Sequence, residues 1–126
     1  MMKLTPDRSK AVPASKVNFE GEAHVQTLQA AVASYEIEVL AVWFKDGARN
    51  FPHVHPVDQL LVGVAGTCVV ATQHERIQLA PGESATIPHG KWHWHGAVRH
   101  NDACHLSIKR AGETVWGQPL HDFHDA

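Results

Sequence analysis

At 126 residues, 44% hydrophobic and 19% charged, the chain can bury one core but hardly two, so a single compact domain is expected. A formal charge of −2 leaves no basic footprint for nucleic acid or an anionic membrane, and no run approaches the roughly 20 apolar residues that cross a bilayer. The expected partner is a small molecule, and two cysteines, Cys68 and Cys104, do not amount to a disulfide framework; they read as small buried hydrophobes in a reducing cytoplasm.

The opening ten residues lack the apolar core of a signal peptide. Residues 1–24 read as an N-terminal arm or edge strand, of a kind that a partner subunit can exchange. Residues 35–45 alternate as a long strand, with Ile37, Val39, Ala41 and Trp43 on one face and Glu36, Glu38, Leu40, Val42 and Phe44 on the other. Short strands follow over 60–64, 67–73, 76–79, 84–87, 92–97 and 103–109. Turn signals separate them: Gly66, a hairpin tip at His74 and Glu75, Pro81 with Gly82, and Pro88-His89-Gly90. With no convincing long helix, this spacing predicts an all-β sandwich or barrel over 25–118 and a polar tail over 119–126.

The chemistry concentrates in two stretches. The first runs from Gly47 through His53, His55 and Gln59 to Gly66; the second runs from Gly82 through Pro88 and Gly90 to His93. Successive side chains of a strand point to opposite faces, so His53 and His55 project to the same side, as two ligands of one ion require. Gln59 can reach that side from the next strand, and His93 completes a set of four donors. One His-x-His pair says little in a chain with 11 histidines; two motifs at fixed spacing say much more. The competing expectation is a barrel that no longer holds a metal.

That order of glycines, prolines and histidines resembles the two signature motifs of the cupin superfamily. Gln59 stands where the family usually has glutamate, and Ala97 where the second motif usually ends in asparagine. The run Trp92-His93-Trp94-His95-Gly96-Ala97 and a later strand with His105 narrow the resemblance. The chain resembles the carboxymuconolactone decarboxylase-associated cupins and, within them, the manganese-dependent bacterial cupin hydroxynitrile lyases, whose metal is held by three histidines and a glutamine.

The resemblance implies a cupin double-stranded β-helix, or jelly-roll barrel, holding one divalent ion, manganese first, with iron, zinc or nickel as alternatives. It implies His53, His55, Gln59 and His93 as ligands, His95 and His105 as the histidines that handle protons, and Leu40, Val42, Asn50 and Lys109 as the cavity lining. Lys109 falls where that group can have glutamine, and Asn50 where it can have threonine. The implied activity is redox-neutral lyase chemistry on a small hydroxyl- or carbonyl-bearing molecule, cleaving or forming a cyanohydrin. An iron-dependent dioxygenase and a non-catalytic ligand-binding cupin are the alternatives.

Strand alternation adds further expectations. His95 shares a face with His93, so Trp92 and Trp94 point outward, where they are expected to cover either a dimer interface or a neighbouring sheet, with a homodimer or higher homo-oligomer as the expected assembly. On the strand over 103–109, either His105, Ser107 and Lys109 face the cavity or Leu106 and Ile108 do. His89 and His100 are expected in solvent, and Glu36 and Glu38 on a solvated face away from the metal. His121, Asp122, His124 and Asp125 are read as a solvated tail in preference to a second metal site.

Overall fold

The computed structural model describes residues 1–117 and Phe123. Among them run β1 (Val12–Pro13), β2 (Phe19–Glu20), β3 (Ala23–Gln29), β4 (Ile37–Phe44), β5 (Arg49–Asn50), β6 (His53–Val54) and β7 (Gln59–Gly66). They are followed by β8 (Cys68–Thr72), β9 (Arg76–Leu79), β10 (Ser84–Ile87), β11 (His93–Ala97), β12 (Ala103–Arg110) and β13 (Val115–Trp116). The helical content described is one 3-10 turn, Arg8–Lys10, capped by the Asp7 carboxylate, which accepts from Ser9 N. No helix among the described residues is long and apolar enough to cross a membrane.

The strands form two antiparallel sheets. One has the order β1-β3-β4-β12-β7-β10; in the other, β13-β6-β11-β5-β2 is extended by β8 on β11 and β9 on β8. This is the expected all-β jelly roll. Its backbone is the pairing of β12 with β4, unbroken from Ala103 opposite Phe44 to Arg110 opposite Ile37. Between the sheets lies a core that includes Val42, Phe44, Leu61, Val70, Ile87 and Ala97, apolar residues drawn from the inward faces of both.

Two glycines allow the barrel to close. Gly66, between β7 and β8, has φ +65°, and a Cβ there would collide with the Asp102 carbonyl. At Gly96 a Cβ would strike the Ala48 carbonyl and the Arg49 backbone, so only glycine lets β5 cross so close to β11. At the tip between β8 and β9, Thr72 Oγ1 accepts from Glu75 N at 3.2 Å, which stabilises the turn at His74 and Glu75.

The N-terminal residues pair within the chain: Val12 lies opposite Val25 and Phe19 opposite Asn50. Pro13, which has no N–H to give to a ladder, sits on the edge strand β1. Strand β3 has no counterpart among the expected strands. Its inward residues, Ala23 and Val25, are small, and glutamines and a histidine alternate with them, so the apolar signal is weak.

For Trp94 the structure decides between the two expected covers. Its indole does point away from the cavity, but it is fully buried with Val69 and Ala71 beneath Val98 and Phe123 of the same chain. The Arg49 guanidinium lies 3.9 Å from the ring centroid, and Nε1 donates to the Phe123 carbonyl at 2.6 Å. The chain itself covers this ring and leaves it unavailable to a partner subunit. Trp92, just before β11, is 41% exposed.

Candidate metal centre

Strands β6 and β11 pair with His53 directly opposite His93, so the backbone ladder itself brings two imidazoles together. His55 follows two residues on, and one ligand atom from each of His53, His55 and His93 lies within 4.8 Å of the others. All three residues are buried.

Each ring is oriented from behind. His53 Nδ1 donates to the Phe51 carbonyl at 2.8 Å, and His93 Nδ1 to the Lys91 carbonyl at 2.8 Å. His55 Nδ1 lies 3.1 Å from Thr114 Oγ1. A carbonyl can only accept, so in His53 and His93 the proton sits on Nδ1 and the Nε2 lone pair is free to ligate. His55 Nε2 is buried without a hydrogen-bond partner, as befits a donor atom for an ion.

Burial holds the rings neutral. It pushes His55 and His93 down to about 4 and His53 well below its ordinary value, with neighbouring imidazoles adding to the effect for His53 and His55. Neutral imidazole is the form that binds metal, so no proton need be displaced at neutral pH.

Gln59, at the start of β7, supplies oxygen. Its Nε2 donates to Ser107 Oγ at 2.7 Å, and this commits the amide so that Oε1 faces the histidines, 3.0 Å from His93 Nε2. Three imidazole nitrogens and one amide oxygen, all neutral, fit a first-row divalent ion. Such an ion would keep its full charge, because no carboxylate stands among the four donors.

Alternation along β11 places His95 beside this group, its ring stacked on His93 at 16° and 5.7 Å. Asn50 holds it: Oδ1 accepts from His95 N at 2.8 Å, so the amide NH₂ faces the ring at 3.3 Å. His95 Nδ1 lies 2.8 Å from His105 Nε2. Burial drives His105 down to about 4 and His95 well below its ordinary value, so the pair is neutral and shares the proton between them. His105 Nδ1 has no hydrogen-bond partner.

The inward face of β12 is the polar one. His105 and Ser107 are buried and the Lys109 side chain is 8% exposed, while Leu106 and Ile108 lie on the opposite face. Together the strands line a cavity of about 310 Å³ that opens to solvent. Leu40, Val42, Asn50 and Lys109 line it, together with His53, His55, Gln59 and His95.

Glu38 corrects an expectation. It lines the same cavity instead of a solvated face, with Oε1 3.5 Å from Lys109 Nζ. Its position on the Leu40 and Val42 face was legible, and the resemblance gave that face to the cavity; its pairing there with Lys109 was not legible. Phe19, Thr114 and Trp116 also belong to the cavity and carried no motif. Trp116 stands opposite His53 in the β13–β6 pairing and packs on its ring at 4.6 Å.

Outside the cavity, Glu36 accepts from Ala33 N at 2.6 Å, His89 pairs with Asp58 at 2.8 Å in solvent, and His100 is exposed near Asp46. The candidate tail residues His121, Asp122, His124 and Asp125 lie outside the described residues. Both cysteines are free and buried, and burial pushes Cys68 up to about 11 and Cys104 up to about 12.

A family model described as the cupin domain matches residues 42–109, the span that carries all four donors and both further histidines. The chain belongs to the cupin family. This cupin is 29% identical over 92 residues to an (R)-mandelonitrile lyase of Granulicella tundricola, a match covering 72% of this chain and 70% of that one. It superposes on a cupin-like protein of Thermotoga maritima with a TM-score of 0.77 at 27% identity, over 86% of this chain and 85% of the other. The polyketide cyclase RemF of Streptomyces resistomycificus gives a TM-score of 0.74, over 97% and 89% of the two chains. At 14% identity, that likeness is one of fold alone.

Proposed function

We propose that this cupin is a metal-dependent lyase of the hydroxynitrile lyase type, which cleaves or forms a cyanohydrin without net redox change. Manganese is the proposed ion. The observation that carries the reading is the placement of the neutral His95–His105 couple beside four neutral donors, with His53, His55, Gln59 and His95 lining one cavity. The likeness to an (R)-mandelonitrile lyase supports it.

A divalent ion held by His53, His55, Gln59 and His93 supplies Lewis-acid polarisation of a hydroxyl or carbonyl oxygen. His95 accepts the hydroxyl proton at Nε2, where the substrate takes the place of the Asn50 amide nitrogen 3.3 Å away, while its Nδ1 contact with His105 Nε2 spreads the charge over two rings. The bond between the carbinol carbon and the nitrile carbon breaks, the carbonyl forms, and cyanide takes the proton back from the histidine couple to leave as hydrogen cyanide. Asn50 keeps the His95 ring in place throughout. Phe19, Leu40, Val42 and Trp116 give the organic body an apolar wall and limit water.

The test is product analysis on protein purified without a nickel column and loaded with manganese. Mandelonitrile should yield benzaldehyde and cyanide in equal amounts, with no dioxygen consumed. Iron-dependent dioxygen uptake would overturn the redox-neutral reading. Ligand-induced stabilisation with no turnover would replace it with a binding function.

A further inference from the structure

Lys109 is a buried ammonium with unused hydrogen-bonding capacity. Its side chain is 8% exposed and lines the cavity. The Glu38 carboxylate 3.5 Å away is the one ion-pair partner of Nζ among the described residues, and no hydrogen bond accompanies that contact. An ammonium carries three N–H donors, so at least two are left to whatever occupies the cavity.

The charges of the cavity point the same way. Among its described lining residues, Lys109 and Glu38 are the formally charged side chains, and they cancel. The four donors beside them are neutral. A dication held there has no protein counter-charge, and an uncompensated charge among buried groups is costly, so an anionic ligand is favoured.

The register makes one small molecule able to reach both places. Lys109 lies opposite Gln59 on β7 and opposite Glu38 on β4, so Nζ springs from the strand next to the amide donor, on the same face.

We infer that Lys109 anchors a carboxylate, so that this cavity selects a small hydroxy or carbonyl compound that also bears an anionic group. This rests on the reading of the four donors as a metal centre, and it makes neutral mandelonitrile a usable substrate but not the preferred kind. The apolar wall takes the body of the molecule, the donor cluster its oxygen, and Lys109 its carboxylate. Glu38 holds the ammonium in place and competes with the ligand for it.

Mandelate and mandelamide share a body and a hydroxyl and differ in charge, so calorimetric titration of manganese-loaded protein with each separates these contributions. The wild type should bind mandelate about tenfold more tightly than mandelamide, and K109Q, with its metal content unchanged, should lose about tenfold for mandelate and within about twofold for mandelamide. E38Q, which removes the competing carboxylate, should tighten mandelate binding severalfold. Unchanged mandelate affinity in K109Q, or no preference in the wild type, would overturn the assignment; the opposite response expected of E38Q tests it again if K109Q folds poorly. Failure to cleave cyanohydrins leaves these binding outcomes standing, whereas failure to retain manganese removes the reading on which they rest.

Discussion

The two walls of the cavity are built on different rules. On the wall made by β6 and β11, each imidazole is held from behind by a carbonyl, a hydroxyl or an amide, so the ring nitrogens have little freedom. On the wall made by β4 and β12, Leu40 and Val42 are plain apolar surface, while Glu38 and Lys109 meet through one contact and keep donors and acceptors to spare. The first wall fixes three of the four donors and His95; the second completes them with His105 and with Ser107 behind Gln59, but leaves Glu38 and Lys109 open to a choice of ligand. The contrast teaches that most of the ligand set can be altered apart from the selecting groups, although Gln59 on β7 and His105 on β12 share a sheet with Glu38 and Lys109 and tie the two walls together.

The contrast breaks most completely at His53, which the ladder sets opposite His93. His53→Ala should lower metal affinity by roughly 100-fold or more, since one of four ligands disappears. Metal analysis after dialysis checks this, and full retention of the ion would exclude His53 as a ligand. His95→Ala sharpens the comparison from within the same wall. It should cost roughly 10²- to 10⁴-fold in turnover while the metal content stays at the wild-type level, because the residue handles a proton and ligates nothing. A parallel loss of metal would move His95 into the ligand set.

Thr114→Val is a gentler cut. It removes the hydroxyl behind His55 Nδ1 with little change of shape, and should weaken metal binding about tenfold, the usual scale for an outer partner. Competition with a fluorescent chelator measures it, and an unchanged affinity would show that Thr114 does not orient the ring.

The last effect is of a different kind and falls on the metal-free fold. Histidines held neutral by burial protonate in the unfolded chain near 6.5 but in the folded one only near 4, so between those values the unfolded state binds more protons. Stability is complete above about 6.5 and falls as pH drops through that window, by about 2 kcal/mol at pH 5 from His105 alone. Urea midpoints of chelated protein at pH 7.5 and 5 should therefore differ, and equal midpoints would contradict the burial argument.

Much of the first wall was legible because spacing is chemistry there. A period of two puts His53 and His55 on one face, the same period carries His93 to His95, and turns marked by glycine and proline position them. The second wall was legible in its alternation but not in its meaning. A glutamate on a half-apolar strand is ordinarily solvated, and only the closure of one sheet on the other encloses Glu38 with Lys109. Trp94 shows the same limit: alternation gave its direction, and the return of the chain at Phe123 gave its cover.

The sequence by itself determined the local geometry: which side chains share a strand face, where the chain turns, and which donors can meet at one ion. Its resemblance to a known family added an expectation of manganese and of cyanohydrin chemistry. The tertiary structure alone decided which face of β12 turns inward, that Thr114 and Trp116 come back to support His55 and His53, and that Lys109 meets Glu38 inside. The physical reason is that alternation along a strand is a local property, whereas enclosure depends on the packing of distant strands against one another.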